Sequence, residues 1–360
     1  MKAIYNIETE IFVVDNHSTD ASLEYLQPKF PDVKFVINKT NSGFAKANNQ
    51  ALIHACGKYI LFLNPDTIVA EDSFEKCIAF LEANKKAGAI GVKMIDGTGS
   101  YLKESKRGFP SPLVSFYKLS GLINVFPKSK IFARYYLGQL NENENNEVDV
   151  LSGACMMVKK EVIDIIGGFD EQFFMYAEDI DLSFRIQKAN YYNYYLAETT
   201  IIHFKGESTR RDLKYTKLFY KAMSQFVRKH YKGGISFLFN LLMDGAIWLR
   251  AGVSLIINFF KPKKITINNK EIKTFIVSDL ADENFIKNNL SSTQRSFVDD
   301  KNKANEIIFC EGNNFSFKQI INAFEENEMN VHYKIHANKS GSVAGSGSKN
   351  AMGETIPLNP

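Results

Sequence analysis

Four short polar clusters stand beside apolar runs: Asp15-Asn16-His17-Ser18-Thr19-Asp20; Asn41-Ser42-Gly43-Phe44-Ala45 with Asn48 and Asn49; Asn64-Pro65-Asp66; and Glu178-Asp179 with Asp181. Carboxylates in such places offer two chemistries: hard oxygen ligands for a divalent cation, and a base that takes a proton from a hydroxyl. Each cluster alone has a plainer explanation. Asn-Pro-Asp is an ordinary turn, and acids at the start of a helix are caps. A stable core does not require Asp and Asn at one strand exit after another. Four in succession point to a ligand site at the carboxyl ends of the strands of an open α/β sheet.

The elements that must position them follow from hydrophobic patterning. "EIFVVDNHSTD" (10–20) reads as a buried strand, Ile11 to Val14, with a polar cap. Residues 32–55 read as a second strand, a glycine-containing loop and a helix. "KYILFLNPDT" is a third strand in which Leu61, Phe62 and Leu63 suit burial on both faces. A helix over 71–87 and a strand over 88–96 follow. Residues 97–147 read as irregular, ending in the surface run "NENENNE". Strand and helix return over 148–171, a helix entered through carboxylates spans 173–191, and a short strand near Thr200–His203 closes the unit. Strands alternating with helices predict an α/β fold with a mostly parallel, doubly wound sheet.

The 360 residues can bury a large core and leave room for two domains. A hydrophobic content of 45% with 23% charged residues describes a globular chain, and a net charge of +4 is too dilute to argue for nucleic acid. The widely spaced Cys56, Cys77, Cys155 and Cys310 form no metal-type pair and read as buried free thiols of a reducing compartment. "MKAIYNIETE" has no signal-peptide pattern, which gives an expectation of a cytoplasmic protein.

From Gly233 the composition changes to "GGISFLFNLLMDGAIWLRAGVSLIINFFKPKK". Its polar residues Ser236, Asn240, Asp244, Arg250, Ser254 and Asn258 fall within an arc of roughly 120° on a helix. Asp244 and Arg250 near the middle argue against a spanning segment. A helix lying in the membrane interface and followed by basic residues fits, and a helix packed inside a core is the alternative.

The motifs "VVDNHSTD", "NSGFAKANNQA", "LFLNPDT", "LSGACMMVKKEV", "GGFDEQFFMYAEDIDLSFR" and "IIHFKGEST" run in order over residues 10–210. Together they resemble the family 2 glycosyltransferases, particularly the rhamnosyltransferase-like members that build bacterial surface polysaccharides. The resemblance implies a nucleotide-diphospho-sugar transferase (GT-A type) fold and an inverting transfer assisted by Mg²⁺ or Mn²⁺. It implies that Asp66 and His203 are metal ligands and that Asp179 is the base, with Glu178 orienting the acceptor. Asp15, Asn16, Ser18, Gly43, Asn48, Asn64 and Gly153 fall on the donor side. The donor would be a dTDP- or UDP-sugar, with dTDP-rhamnose as one example, and the acceptor a lipid-linked or cell-surface glycan at the cytoplasmic face of the membrane. A plainer reading of His203 is a satisfied core histidine. Arg210 and Arg211 are candidates to clamp phosphate, or merely solvated.

Members of that family begin with a strand and helix ahead of the "VVDN" strand, and here the expectation is that both are missing. Residues 1–232 therefore read as a glycosyltransferase domain without its opening, 233–263 as the membrane-associated segment, and 264–360 as a small Rossmann-like unit. The last shows strands at 273–279, 305–312 and 330–336 and a helix at 316–327, but no GxGxxG loop. A competing function is a catalytically inactive scaffold or nucleotide-binding protein on the same fold.

Overall fold

The computed structural model describes residues 2–204, 213–231, 271–278, 280–290, 295–312, 315–326, 331–346 and 353–358, together with Gly234, Phe239 and Leu242. The first half runs β1 (Phe12–Asp15), α1 (Ser22–Leu26), β2 (Lys34–Ile37), α2 (Phe44–Leu52), β3 (Tyr59–Leu63), β4 (Thr67–Val69), α3 (Ser73–Ala83) and β5 (Ala87–Ile95). It continues through β6 (Lys106–Arg107), α4 (Pro112–Ser120), α5 (Leu122–Val125), β7 (Asn146–Val148), β8 (Val150–Leu151), β9 (Cys155–Lys159), α6 (Lys160–Ile166), α7 (Glu178–Lys188), β10 (Tyr192–His203) and α8 (Leu213–His230).

The six-stranded sheet has the order β3-β9-β5-β10-β4, with β7 paired to β10. The strand–helix alternation gives the expected class, a sheet flanked by helices, but the expectation of a mostly parallel sheet is corrected. Among its bonded neighbours only β5 and β10 pair in parallel; β9 is antiparallel to both β3 and β5, and β4 and β7 are antiparallel to β10. The reason is local: the chain turns back at Ser152–Ala154 and enters the sheet between β3 and β5 without a helical crossover. β1 and β2 form a separate parallel pair.

Two further expectations change. The strand near Thr200–His203 is the end of the twelve-residue β10, whose pairing with β5 shifts register between Leu196 and Thr200. There Asn145 Oδ1 accepts the Ala197 N–H (2.8 Å), so the polar Ala-Glu-Thr interruption is an irregularity within one strand. The supposedly irregular 97–147 contains α4 and α5. Ser111 caps α4 by accepting the Val114 N–H, Pro112 begins it, and Gly121 ends it at φ +85°. Three of the four cysteines are buried, whereas Cys56 is exposed.

Core side chains cover both faces of the sheet. Val162, Ile163, Leu182 and Ile186 pack on one side, and Phe74, Cys77 and Leu81 on the other. Phe239, from the apolar segment expected at a membrane surface, is buried against Phe173, Ala177, Ile180 and Phe226, so at that position the core alternative holds. The rest of that segment beyond Leu242, its basic tail, Arg210 and Arg211 lie outside the described residues.

A second sheet, β12-β11-β13-β14-β15-β16, is built from β11 (Ile272–Val277), β12 (Arg295–Phe297), β13 (Glu306–Cys310), β14 (His332–His336), β15 (Ser342–Gly345) and β16 (Glu354–Pro357). Its helices are α9 (Leu280–Leu290) and α10 (Phe317–Glu325). α10 lies against the first sheet. Ile320, Ile321 and Phe324 share a core with Ala70, Ile95, Ile202 and Phe204. The Glu71 carboxylate accepts the N–H groups of Phe317 (2.8 Å) and Lys318 (3.0 Å), capping α10 from the other sheet. Lys93 pairs with Glu325 at 2.9 Å. Gly99, at φ +81°, passes so close to the Phe324 carbonyl that a Cβ would lie 1.9 Å from its oxygen.

Candidate active site

Asp66 lies in the turn that leaves β3. Its position is set by the Asn64 N–H, which donates to the Ala154 carbonyl at 2.9 Å, and by Thr67 Oγ1, which donates to the Asn64 carbonyl at 2.7 Å. Thr67 on β4 pairs with His203 at the end of β10, and the Phe204 N–H donates to the Asp66 carbonyl. Residues far apart in sequence thus meet: His203 Nε2 is 3.2 Å from Asp66 Oδ1. His203 is 7% exposed and its Nδ1 has no hydrogen-bond partner among the described residues.

Residues 153 and 154 join this pair to the acidic helix. While Ala154 receives Asn64, the Gly153 N–H donates to Asp179 Oδ2 at 3.2 Å. That oxygen also accepts from Arg107 at 2.5 Å, and Oδ1 accepts the Ile180 N–H at 2.8 Å. Arg107 is buried on the two-residue strand β6, and its guanidinium also donates to the Leu151 carbonyl at 2.6 Å. Burial disfavours its charge, but the neighbouring Asp179 carboxylate more than offsets this and raises its pKa. Sequence reasoning missed Arg107. A single basic residue in an unpatterned stretch carries no signal until its partner is known.

Glu178 is buried, and its Oε2 lacks a partner among the described residues. Burial first, and the charge of Asp179 second, push its pKa upward, so the folded site favours the protonated acid. The turn into α7 is itself unusual: Tyr176 (φ 68°) and Ala177 (φ 67°) are consecutive non-glycine residues in the left-handed region.

Asp181, two residues on, does different work. It is fully buried and accepts from Arg185 (2.7 Å), Lys229 (2.6 Å) and His230 (2.6 Å). Burial alone would raise its pKa. The hydrogen bonds from His230 and Lys229 and the Arg185 charge instead hold it down at about 2. It latches α7 to the last turn of α8.

Among the residues expected on the donor side, Asp15 closes β1, and its carboxylate accepts the Ser18 N–H at 3.2 Å. Asn16 ties two loops together. Its Oδ1 accepts the Ser42 N–H (2.9 Å), and its Nδ2 donates to Asn41 Oδ1 (2.9 Å) and to the Gly43 carbonyl (3.3 Å). Gly43 has φ +85°, and a Cβ there would lie 2.5 Å from the Phe174 carbonyl oxygen. The Phe44 N–H donates to that same oxygen at 3.0 Å, which fastens the donor loop to the segment entering α7. Gly153 sits between Asp179 and the Phe44 ring. Asn48 donates to the Phe44 carbonyl of its own helix, whereas Asn49 reaches across to Phe169.

Among the described residues, no cluster of three or more His, Cys, Asp or Glu side chains is arranged to hold a metal. The Asp66–His203 pair supplies a hard oxygen and one imidazole. That set suits a cation whose remaining ligands are phosphate oxygens and water, as Mg²⁺ commonly is in nucleotide sites.

A mixed sheet flanked by helices, with acids at its strand ends, is the arrangement of a GT-A type fold. Residues 2–167 match the model of glycosyl transferase family 2. By that match, residues 2–167 carry a glycosyltransferase family 2 domain. The N-acetylglucosaminyl-diphospho-decaprenol L-rhamnosyltransferase of Mycobacterium tuberculosis is 28% identical over 213 residues, which cover 56% of this chain and 68% of that protein. Rhamnosyltransferase WbbL of Escherichia coli is 29% identical over 179 residues, 47% of this chain and 63% of its own. A mannosyltransferase from Pyrobaculum calidifontis, solved with GDP-Man and Mn²⁺, aligns with a TM-score of 0.43 at 17% identity over 70% of this chain and 67% of its own. No helix of the described residues is long and apolar enough to cross a membrane.

Proposed function

We propose that this chain transfers a sugar, with inversion, from a dTDP- or UDP-sugar to a hydroxyl of a lipid-linked or cell-surface glycan at the cytoplasmic face of the membrane, with rhamnose as the first sugar to test. The observation that carries the proposal is the unbroken path of contacts from His203 and Asp66, through residues 153 and 154, to Asp179. Asp66 and His203 would hold Mg²⁺ or Mn²⁺, which would neutralise charge gathering on the departing diphosphate. Asp15, Asn16, Ser18, Gly43, Asn48, Asn64 and Gly153 line the donor side. The acceptor oxygen attacks the anomeric carbon as its bond to the diphosphate breaks, and Asp179 takes the hydroxyl proton. Arg107 and the Gly153 N–H hold one carboxylate oxygen and the Ile180 N–H donates to the other, which fixes the orientation in which Asp179 meets that proton. Protonated Glu178 donates a hydrogen bond that orients the acceptor.

The test is donor turnover with Mn²⁺ or Mg²⁺ across dTDP- and UDP-sugars. Asp179→Asn is expected to lower kcat on the order of 10²- to 10⁴-fold while nucleotide binding persists. Equal turnover by the variant would refute the assignment. The separate β1–β2 pair favours a second reading, a nucleotide-binding scaffold without turnover. Nucleotide binding by an enzyme inert toward every donor would support that reading.

A further inference from the structure

Between Glu104 and Glu142 the sequence holds six Lys or Arg residues and no Asp or Glu. Of these, Lys106 is buried and donates to the Leu137 and Leu140 carbonyls, Arg107 is buried against Asp179, and Lys118 lies over the rings of Tyr135 and Phe219. Lys128, Lys130 and Arg134 are exposed. Among them stand apolar side chains that the fold leaves in water: Val125 (67% exposed), Phe126 (47%) and Ile131 (64%), with Leu113 (55%) at the start of α4.

The tip that carries them is well built. The Ser129 N–H donates to the Phe126 carbonyl, Ser129 Oγ accepts the N–H groups of Ile131 and Phe132, and the Ala133 N–H returns to the Ser129 carbonyl. The Phe126 and Phe132 rings sit 5.1 Å apart, and Phe132 packs edge-on against Tyr117. A braced tip showing three large apolar side chains among exposed cations, with no nearby acid in sequence, is complementary to an anionic lipid surface: the apolar groups enter the acyl boundary and the cations meet headgroup phosphates.

We infer that the tip following α5, residues 125–134, docks on anionic membrane and is a lipid contact separate from the apolar segment after Gly233. It joins the side proposed for the acceptor, because Arg107 of β6, five residues before Pro112, holds Asp179, and the next residue, Gly108, donates its N–H to the Tyr135 carbonyl at the end of the tip (3.0 Å). The inference rests on the transfer reading only for its purpose, which is to bring a lipid-linked acceptor within reach.

The test uses the full chain with Cys56→Ser, which leaves the buried thiols, and Val125→Cys carrying an environment-sensitive fluorophore. Ile165→Cys, at an exposed position on α6, is the control. On adding phosphatidylcholine vesicles containing phosphatidylglycerol, the label at 125 should shift to the blue and that at 165 should not. In the unlabelled chain, Val125→Ser, Phe126→Ser and Ile131→Ser together should lower the vesicle partition coefficient about tenfold, and Lys128→Gln with Lys130→Gln should act mainly at low salt. Vesicle binding with an unshifted 125 label, equal shifts at both positions, a shift that grows with protein concentration without lipid, or no vesicle binding would each overturn the inference. A 125-specific shift in a chain that turns over no donor would uphold the docking surface and sink the transfer reading.

Discussion

The two sides of the site are built from different materials. On the side proposed for the donor, Asn16, Ser42, Asn41 and Asn38 join through neutral amides and hydroxyls close to solvent. On the side proposed for the acceptor, Arg107, Asp179 and Asp181 bring charge into the interior and hold it there by pairing. A neutral, wet network can adjust to different nucleotides at small cost. A buried charged one fixes geometry but is costly to break, since each lost partner leaves a charge without water.

Substitutions can break this contrast. The largest effect is expected for Arg107→Ala, which strands Asp179: a loss of about 3–5 kcal/mol in unfolding stability, measured by denaturant titration, together with a fall in kcat. Arg107→Lys should recover more stability than turnover, because an ammonium cannot reproduce the guanidinium fork. A destabilisation below about 1 kcal/mol would show that the pair is solvated and the contrast mistaken.

Next comes Asp181→Asn. The folded pKa of Asp181 is depressed to about 2 from 3.8, so the carboxylate contributes stability above pH 4 that is lost as pH falls through its folded value. The variant should be less stable by about 2 kcal/mol at pH 7, with the gap from the parent protein closing toward pH 2. A constant gap across that range would mean that something other than ionisation holds α8. The smallest effect is expected on the neutral side. Asn16→Ala should cost about 1 kcal/mol of stability and weaken UDP or dTDP binding more than it slows bound donor. A loss matching that of Arg107→Ala would erase the distinction between the two sides.

The same contrast explains what was legible in the sequence. Asp15, Asp66 and the Glu178-Asp179 pair stand where strands and helices end, so local pattern marks them. His203 could be linked to Asp66 only through the resemblance, because the intervening chain gives no hint that β4 and β10 will pair. Arg107 had no local signature, since β6 is too short to show a period. Asp181 looked like another member of the acidic cluster, and only Lys229 and His230, on a helix the sequence reading passed over, reveal it as a latch. The cap and stop of α4 stand in the sequence as Ser111-Pro112 and Gly121, but the helix between them is only nine residues long and too short to show a clear period. The register shift in β10 hid most of a long strand.

Strand alternation ties the second sheet to the chemistry. On β10, Ile202 faces the core shared with α10 while its neighbour His203 meets Asp66, and Glu71, five residues past Asp66, caps α10. The carboxy-terminal unit is thus a buttress for the Asp66–His203 pair. Trimming it away would wet the back of the strand that carries His203, so a shortened enzyme should be judged by its nucleotide affinity as well as its solubility.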